Sequence, residues 1–189
     1  MADTADNPAT RWLMERMFGQ VDALMRPLAP RSVLHARCAE GQALRTLTLP
    51  EAYLGIDPRP ANVERCRKRD PRRRFEVQSP TALPYADASF DVVVATQVLE
   101  ELEDPALAVA ELSRVAERGV IFSVPNEPIF QVGNAARGKY LDTLGDHPAH
   151  LQHWGRWSFP KFLVGTGAVR DLKLRTVGPW IVVLARPAR

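Results

Sequence analysis

The chain has 189 residues, with 25 Lys and Arg against 22 Asp and Glu for a net charge of +3, and a pI near 9.1. That length suits one domain whose core needs no disulfide staples, and the two cysteines, Cys38 and Cys66, form no C-x-x-C pair, which argues against a disulfide framework or a zinc ribbon. No apolar run approaches the roughly 20 residues of a membrane helix, and the opening MADTADNPAT is polar and acidic where a signal peptide is basic and then apolar, so a soluble cytoplasmic protein is expected.

After this polar start, RWLMERMFGQVDALMRPLAP sets Leu13, Met14, Met17, Val21, Leu24 and Met25 at helical spacing until Pro27 and Pro30 stop the pattern. The expectation is an amphipathic helix packing this stripe on the core, with its methionines as a second candidate role, the lining of a greasy substrate entrance. Residues 1–30 are read as helix and tail, and 31–189 as a single domain.

From Arg31 onward, short apolar runs alternate with helical patterns, the mark of a doubly wound α/β sheet with parallel strands. Strands are expected over Ser32–Ala36, Tyr53–Ile56, Phe75–Val77, Phe90–Ala95 and Gly119–Ser123, with helices near Gly41–Leu47, Ala61–Arg69 and Pro105–Glu117. Pro105 suits the first turn of its helix and Asp104 suits the cap before it. The second helix runs into RCRKRDPRRR, Arg65 to Arg74, where seven residues are basic. Such a run is able to bind phosphates, yet no aromatic residue interleaves for base stacking, so a solvated arginine-rich surface is preferred over a nucleic-acid site. Last, Val169–Val177 and Trp180–Ala185, divided by Gly178 and Pro179, read as an antiparallel hairpin closing the sheet.

In open sheets of this kind, ligands bind outside the carboxyl ends of the strands. Those ends carry Arg37 and Cys38, Asp57, Gln78 and Ser79, Gln97, and the run Pro125, Asn126 and Glu127. Residues 125–160 are too many for an ordinary connection and are rich in His, Trp and Gly, so this segment is expected to lid the site.

YLGIDPRPANVERCRKR, followed by ALPYADASFDVVVATQVLEELEDPALAVAELSRVAERGVIFSVPNEP, resembles the class I S-adenosylmethionine-dependent methyltransferases, specifically the UbiE-like group that methylates small molecules. The resemblance runs from Arg31 to about Leu163, and the lid VPNEPIFQVGNAARGKYLDTLGDHPAHLQHW is similar to that of a bacterial subset of the group. It implies a Rossmann-like methyltransferase fold, with a mostly parallel seven-stranded sheet and an antiparallel C-terminal hairpin. It also implies S-adenosylmethionine as cofactor and a small molecule as substrate.

For single positions the resemblance implies roles. Asp57 matches the acidic residue that accepts hydrogen bonds from both ribose hydroxyls, which a carboxylate can do at once; a turn started by an Asp before Pro58 is the plainer alternative. The family's first loop reads D-x-G-x-G-x-G, and the matching residues are His35, Arg37, Ala39 and Gly41, so only the last glycine remains. Arg37 is expected to fill the space a glycine leaves for the ligand, and His35, if protonated, to repel the cofactor's positive groups. On the adenine side, Ser79 and Pro80 stand for an acidic residue and an N–H donor; Ser79 still offers a hydroxyl, but proline has no N–H to give. Leaving one buried polar group without its partner costs roughly 1–3 kcal/mol, and each 1.4 kcal/mol is about tenfold in affinity.

Cofactor positions are therefore Arg37, Gly41, Asp57 and Ser79, in an impaired site with weak or no methyl transfer. Three alternatives stand beside this reading. One is an active small-molecule or sugar methyltransferase whose loop has adapted, with Arg37 swung outward. The others are a cofactor-independent cyclase or isomerase on the same fold, and a noncatalytic pseudoenzyme that binds a partner protein.

Candidate acid and base groups are His150, His153 and Glu127. The two histidines match positions in the bacterial subset, whereas Glu101 stands where many relatives carry a histidine. Glu127 is either a base or the cap of a helix after Pro128. His147, His150 and His153 recur at every third residue with no acidic ligand at a zinc-like interval, so no metal is expected. Anchoring of the lid by His150, His153 and Trp154 is the plainer alternative to substrate contact.

Overall fold

Seven strands join in one sheet in the computed structural model, which describes residues 8–39, 41–127, 129–135, 138 and 147–189. They are β1 (Ser32–Ala36), β2 (Ala52–Asp57), β3 (Arg74–Val77), β4 (Phe90–Thr96), β5 (Ala116–Pro125), β6 (Val169–Val177) and β7 (Trp180–Pro187). Their order across the sheet is β3-β2-β1-β4-β5-β7-β6. β1 to β5 pair in parallel, with Leu34 level with Leu54 on one side and Val93 on the other. β7 runs antiparallel to both β5 and β6, closing the sheet as the expected hairpin.

The central strands are apolar on both faces because helices cover both. α1 (Pro8–Met25) and α2 (Pro60–Arg69) lie on one face, where Met17, Val21, Met25 and Cys66 pack on Val33, Tyr53, Val92 and Ile121. α3 (Pro105–Val115) and α5 (Ser158–Gly165) lie on the other, with Ala108, Leu112, Phe159 and Leu163 against Leu34, Ile56, Val93 and Phe122. Val33 and Leu34 thus face opposite layers, as the pleat requires. A short α4 (Ile129–Ala135) follows β5.

Two local expectations need correction. Gly41–Leu47 is not a helix but holds a single 3-10 turn at Ala43–Arg45. β-branched Thr46 and Thr48 and then Pro50 disfavour continuation, and the Thr48 amide turns instead to the Asp22 carboxylate at 2.7 Å. α3 ends at Val115, and the chain enters β5 directly at Ala116. α5 has no counterpart among the expected helices, and its Pro160 would break the interior of one. It falls in the first turn, where a missing N–H removes no helical bond.

The arginine-rich stretch after α2 is bound up with its own chain. Arg67 donates to the Phe75 carbonyl at 2.7 Å, Arg73 to the Pro50 carbonyl at 2.7 Å, and Arg72 and Arg73 both pair with Asp70. Among the described residues, no helix is long and apolar enough to cross a membrane.

Candidate functional site

The strand order reverses beside β1, so the crevice for a ligand opens between the carboxyl ends of β1 and β4. The loop leaving β1 has positive φ at Arg37 (59°), Ala39 (47°) and Gly41 (73°). The backbone therefore keeps the left-handed shape of a three-glycine turn with a glycine at only one of the three places. For L-residues that shape costs about 1–2 kcal/mol each. The Cys38 amide donating to the Ile56 carbonyl and the Gly41 amide donating to the Cys38 carbonyl, both at 2.8 Å, hold it in place.

Arg37 spans the crevice. One guanidinium nitrogen donates to the Gln97 carbonyl just past β4, and the other pairs with the Glu101 carboxylate, which Arg59 also approaches at 3.6 Å. Asp57, at the end of β2, is 1% exposed. Its Oδ2 accepts from the Ala39 amide at 3.0 Å, and its Oδ1 from the Arg59 amide at 2.9 Å and Asn62 Nδ2 at 3.0 Å. Both oxygens are thus engaged by the chain itself.

His35 does not meet the condition, protonation, on which its repulsion of the cofactor depends. Its ring lies between the Tyr53 hydroxyl at 3.0 Å and the Thr96 hydroxyl at 3.3 Å, and burial lowers its pKa to about 4 against a smaller opposing pull from Asp57. It is neutral at physiological pH and repels nothing. Ser79 is exposed, with its hydroxyl 2.8 Å from that of Thr81, and Pro80 beside it is buried.

A cavity of about 470 Å³ opens at this end of the sheet. Its lining is polar at Arg37, Gln97, Glu100, Glu101 and His150 and apolar or aromatic at Leu13, Met14, Phe130 and Trp180. Met14 thus reaches the cavity, whereas Met17 and Met25 are fully buried in the core.

Glu100 is the residue that sequence reasoning missed. It is 1% exposed, its Oε2 has no hydrogen-bond partner among the described residues, and burial raises its pKa to about 8, with Glu101 and Glu127 pushing the same way and Arg37 opposing. In LEEL the two carboxylates look alike. The 3-10 turn Leu99–Glu101 buries Glu100 and leaves Glu101 to Arg37.

Of the three acid–base candidates, two meet. His150 Nδ1 lies 3.6 Å from Glu127 Oε1, longer than a hydrogen bond, and both side chains are 7% exposed. The Phe130 ring lies 5.3 Å from the His150 ring, and the His147 ring lies 4.8 Å from it. His153 is exposed and does not line the cavity. Among the described residues, no group of three His, Cys, Asp or Glu is arranged to hold a metal ion.

The described part of the 125–160 segment is tied down beside the cavity; residues 128, 136, 137 and 139–146 lie outside the described set. The Leu151 and Gln152 amides donate to the Glu100 carbonyl at 2.7 and 3.0 Å, and the Glu127 amide to the Trp154 carbonyl at 2.8 Å. Trp154 is itself buried against Phe159 and Phe162.

Residues 34–124 match a family model described as a methyltransferase domain. Over 108 residues the chain is 39% identical to a protein of Mycolicibacterium smegmatis named as a probable S-adenosylmethionine-dependent methyltransferase, covering 56% of this chain and 42% of that protein. The chain therefore spans less than half the length of that relative. Magnesium protoporphyrin IX methyltransferase from Synechocystis PCC 6803, solved with bound SAH, superposes with a TM-score of 0.70 at 15% identity, over 98% of this chain and 90% of that one. A structure of a methyltransferase with the Trm112 activator of Haloferax volcanii gives 0.69 at 13% identity, over 94% and 96%. These two likenesses speak to the fold alone.

Proposed function

Because residues 34–124 match a methyltransferase domain and the chain is similar to probable S-adenosylmethionine-dependent methyltransferases, we propose that it is a small-molecule member of the class I family whose cofactor site is closed as it stands, with weak or no methyl transfer. The observation that carries this reading is the Arg37 guanidinium, bound to the Gln97 carbonyl and Glu101 across the crevice. Asp57 adds to it, since it is buried and the Ala39, Arg59 and Asn62 donors already take three of the roughly four acceptor sites of a carboxylate. On the adenine side Pro80 offers no N–H. The residues present therefore do not fit S-adenosylmethionine without rearrangement of the loop.

Titration calorimetry with S-adenosylmethionine and S-adenosylhomocysteine tests this. The protein is expected to show no micromolar binding, and the Arg37→Gly, Ala39→Gly double variant to gain it. Adding Asp57→Ala to that variant should remove the gain. Micromolar binding by the unaltered protein, lost on Asp57→Ala, would overturn the reading in favour of an active small-molecule or sugar methyltransferase with an adapted loop.

A second reading is favoured by the cavity itself: cofactor-independent acid–base chemistry, with His150 and Glu127 as the exchanging pair and residues 125–160 as the lid. Its support is the closeness of these two buried groups beside a cavity that already has room for a small molecule. Isomerisation or cyclisation that survives removal of all cofactor and is lost in His150→Gln would distinguish it from a noncatalytic partner-binding role.

A further inference from the structure

Five buried side chains among the described residues keep a nitrogen or oxygen atom without a hydrogen-bond partner, and four of them gather in one place. Glu100, His150 and Trp180 line the cavity, and Glu127 stands behind His150. An unpaired buried polar atom costs about 1–3 kcal/mol, so four at one cavity are a sign of groups kept for a ligand.

Their chemistry is uneven. Glu100 Oε2 and Glu127 Oε1 are acceptors when ionised, and His150 Nδ1 is an acceptor in the tautomer protonated at Nε2. Trp180 Nε1 is a donor in every state, and His150 Nδ1 becomes one in its other tautomer, where Glu127 Oε1 faces it at 3.6 Å. The two guanidiniums at the cavity, Arg37 and Arg59, both turn to Glu101, and among the described residues no guanidinium bonds these two free carboxylate oxygens. A complementary ligand group therefore carries several N–H donors and a positive charge. An alcohol brings one donor, and a carboxylate brings none and adds repulsion. A metal ion is the other cation to weigh, but no group of three His, Cys, Asp or Glu among the described residues is arranged to hold one. Phe130 and Trp180 give the same cavity aromatic faces, which attract organic cations.

We propose that this end of the cavity binds a small organic amine as its ammonium ion, whose charge draws the Glu100 carboxyl into its ionised form as counter-charge, with Phe130 and Trp180 as its walls. The inference rests on the reading of the cavity as the small-molecule end of a methyltransferase-like site, and it names the substrate class for that end.

The test uses the full chain without S-adenosylmethionine and three probes of one size: benzylamine, benzyl alcohol and benzoate, followed by calorimetry or ligand-observed NMR. Benzylamine is expected to bind at least about tenfold more tightly than benzyl alcohol, a gap of about 1.4 kcal/mol, and benzoate not to saturate. Glu100→Gln should bring the amine down close to the level of the alcohol, whereas Phe130→Ala should weaken both, the amine more. Equal binding of amine and alcohol, preference for benzoate, a preference that survives Glu100→Gln, or no saturable amine binding at millimolar concentration would each overturn the proposal. A separate titration with S-adenosylhomocysteine keeps the readings apart. Tight binding there with the amine preference intact removes the closed-cofactor reading alone, and no binding there with no amine preference removes this one alone.

Discussion

Arg37 and Ala39 sit in backbone shapes that glycine adopts freely, which makes them measurable points of strain. Ala39→Gly keeps the amide that Asp57 accepts from and removes a Cβ from the left-handed region. After the entropy a glycine loses on folding, the net gain should be up to about 1 kcal/mol in urea denaturation. No gain would mean that the loop carries no strain at Ala39. Glu100 supplies a pH test. Its ordinary value of 4.5 is raised to about 8 in the folded protein, so the folded state holds the proton more tightly than the unfolded chain. Its contribution is full below about pH 4.5 and is lost as pH rises through about 8. Glu100→Gln should therefore match the parent in thermal melts near the acid end and exceed it near pH 9, by on the order of 3–5 kcal/mol. A difference that stays flat with pH would refute the buried-carboxylate account. The departure at Arg37 was legible in the sequence, because a glycine pattern shows its own gaps. The satisfaction of Asp57 by Ala39 was not, since it depends on how two loops meet. Nor was Glu100, which only a turn of the backbone separates from its neighbour.

Among the elements, those with a strong period or a clean cap were readable. β1 and β6 have the bounds their apolar runs suggested, and α3 starts where Asp104 and Pro105 placed it, with the Asp104 carboxylate accepting from the Leu107 amide at 3.1 Å. Asp104→Ala should cost about 1 kcal/mol by chemical denaturation; an unchanged midpoint would show the cap to be idle in this context. The stretch after β1 misled because three small or polar residues resemble a helix start, while Asp22 far along the chain takes the amide that a helix would need. α5 was not among the expected helices. Its role as an anchor is testable: Trp154→Ala removes a buried ring packed on Phe159 and Phe162 and should cost about 3–5 kcal/mol. The same change should speed amide exchange at Leu151 and Gln152, whose partner is the Glu100 carbonyl. Exchange as slow as in the parent would mean that the segment is held without Trp154.

For the molecule as a whole, alternation of apolar strands with helical runs was enough to announce a doubly wound parallel sheet, because both faces of such a sheet must be covered. The position of β7 between β5 and β6 was beyond the sequence pattern, which shows that a strand is buried but not whose neighbour it is. α1 is integral to this plan, since Met17, Val21 and Met25 are fully buried against the sheet. Deleting residues 8–25 should abolish cooperative unfolding and expose dye-binding apolar surface; a truncated chain that still melts sharply would show α1 to be an accessory.

The same sheet order sets a timetable during synthesis. β6 pairs with β7 alone, and β7 is the last of the seven strands to emerge from a ribosome. α1, made before β6 and β7, rests partly on both and cannot complete its seat until they arrive. Between the emergence of α1 and that of β7 the nascent chain thus carries a half-covered apolar helix and, once β5 is made, an open β5 edge. Its exposure to chaperones is written into the order of its strands.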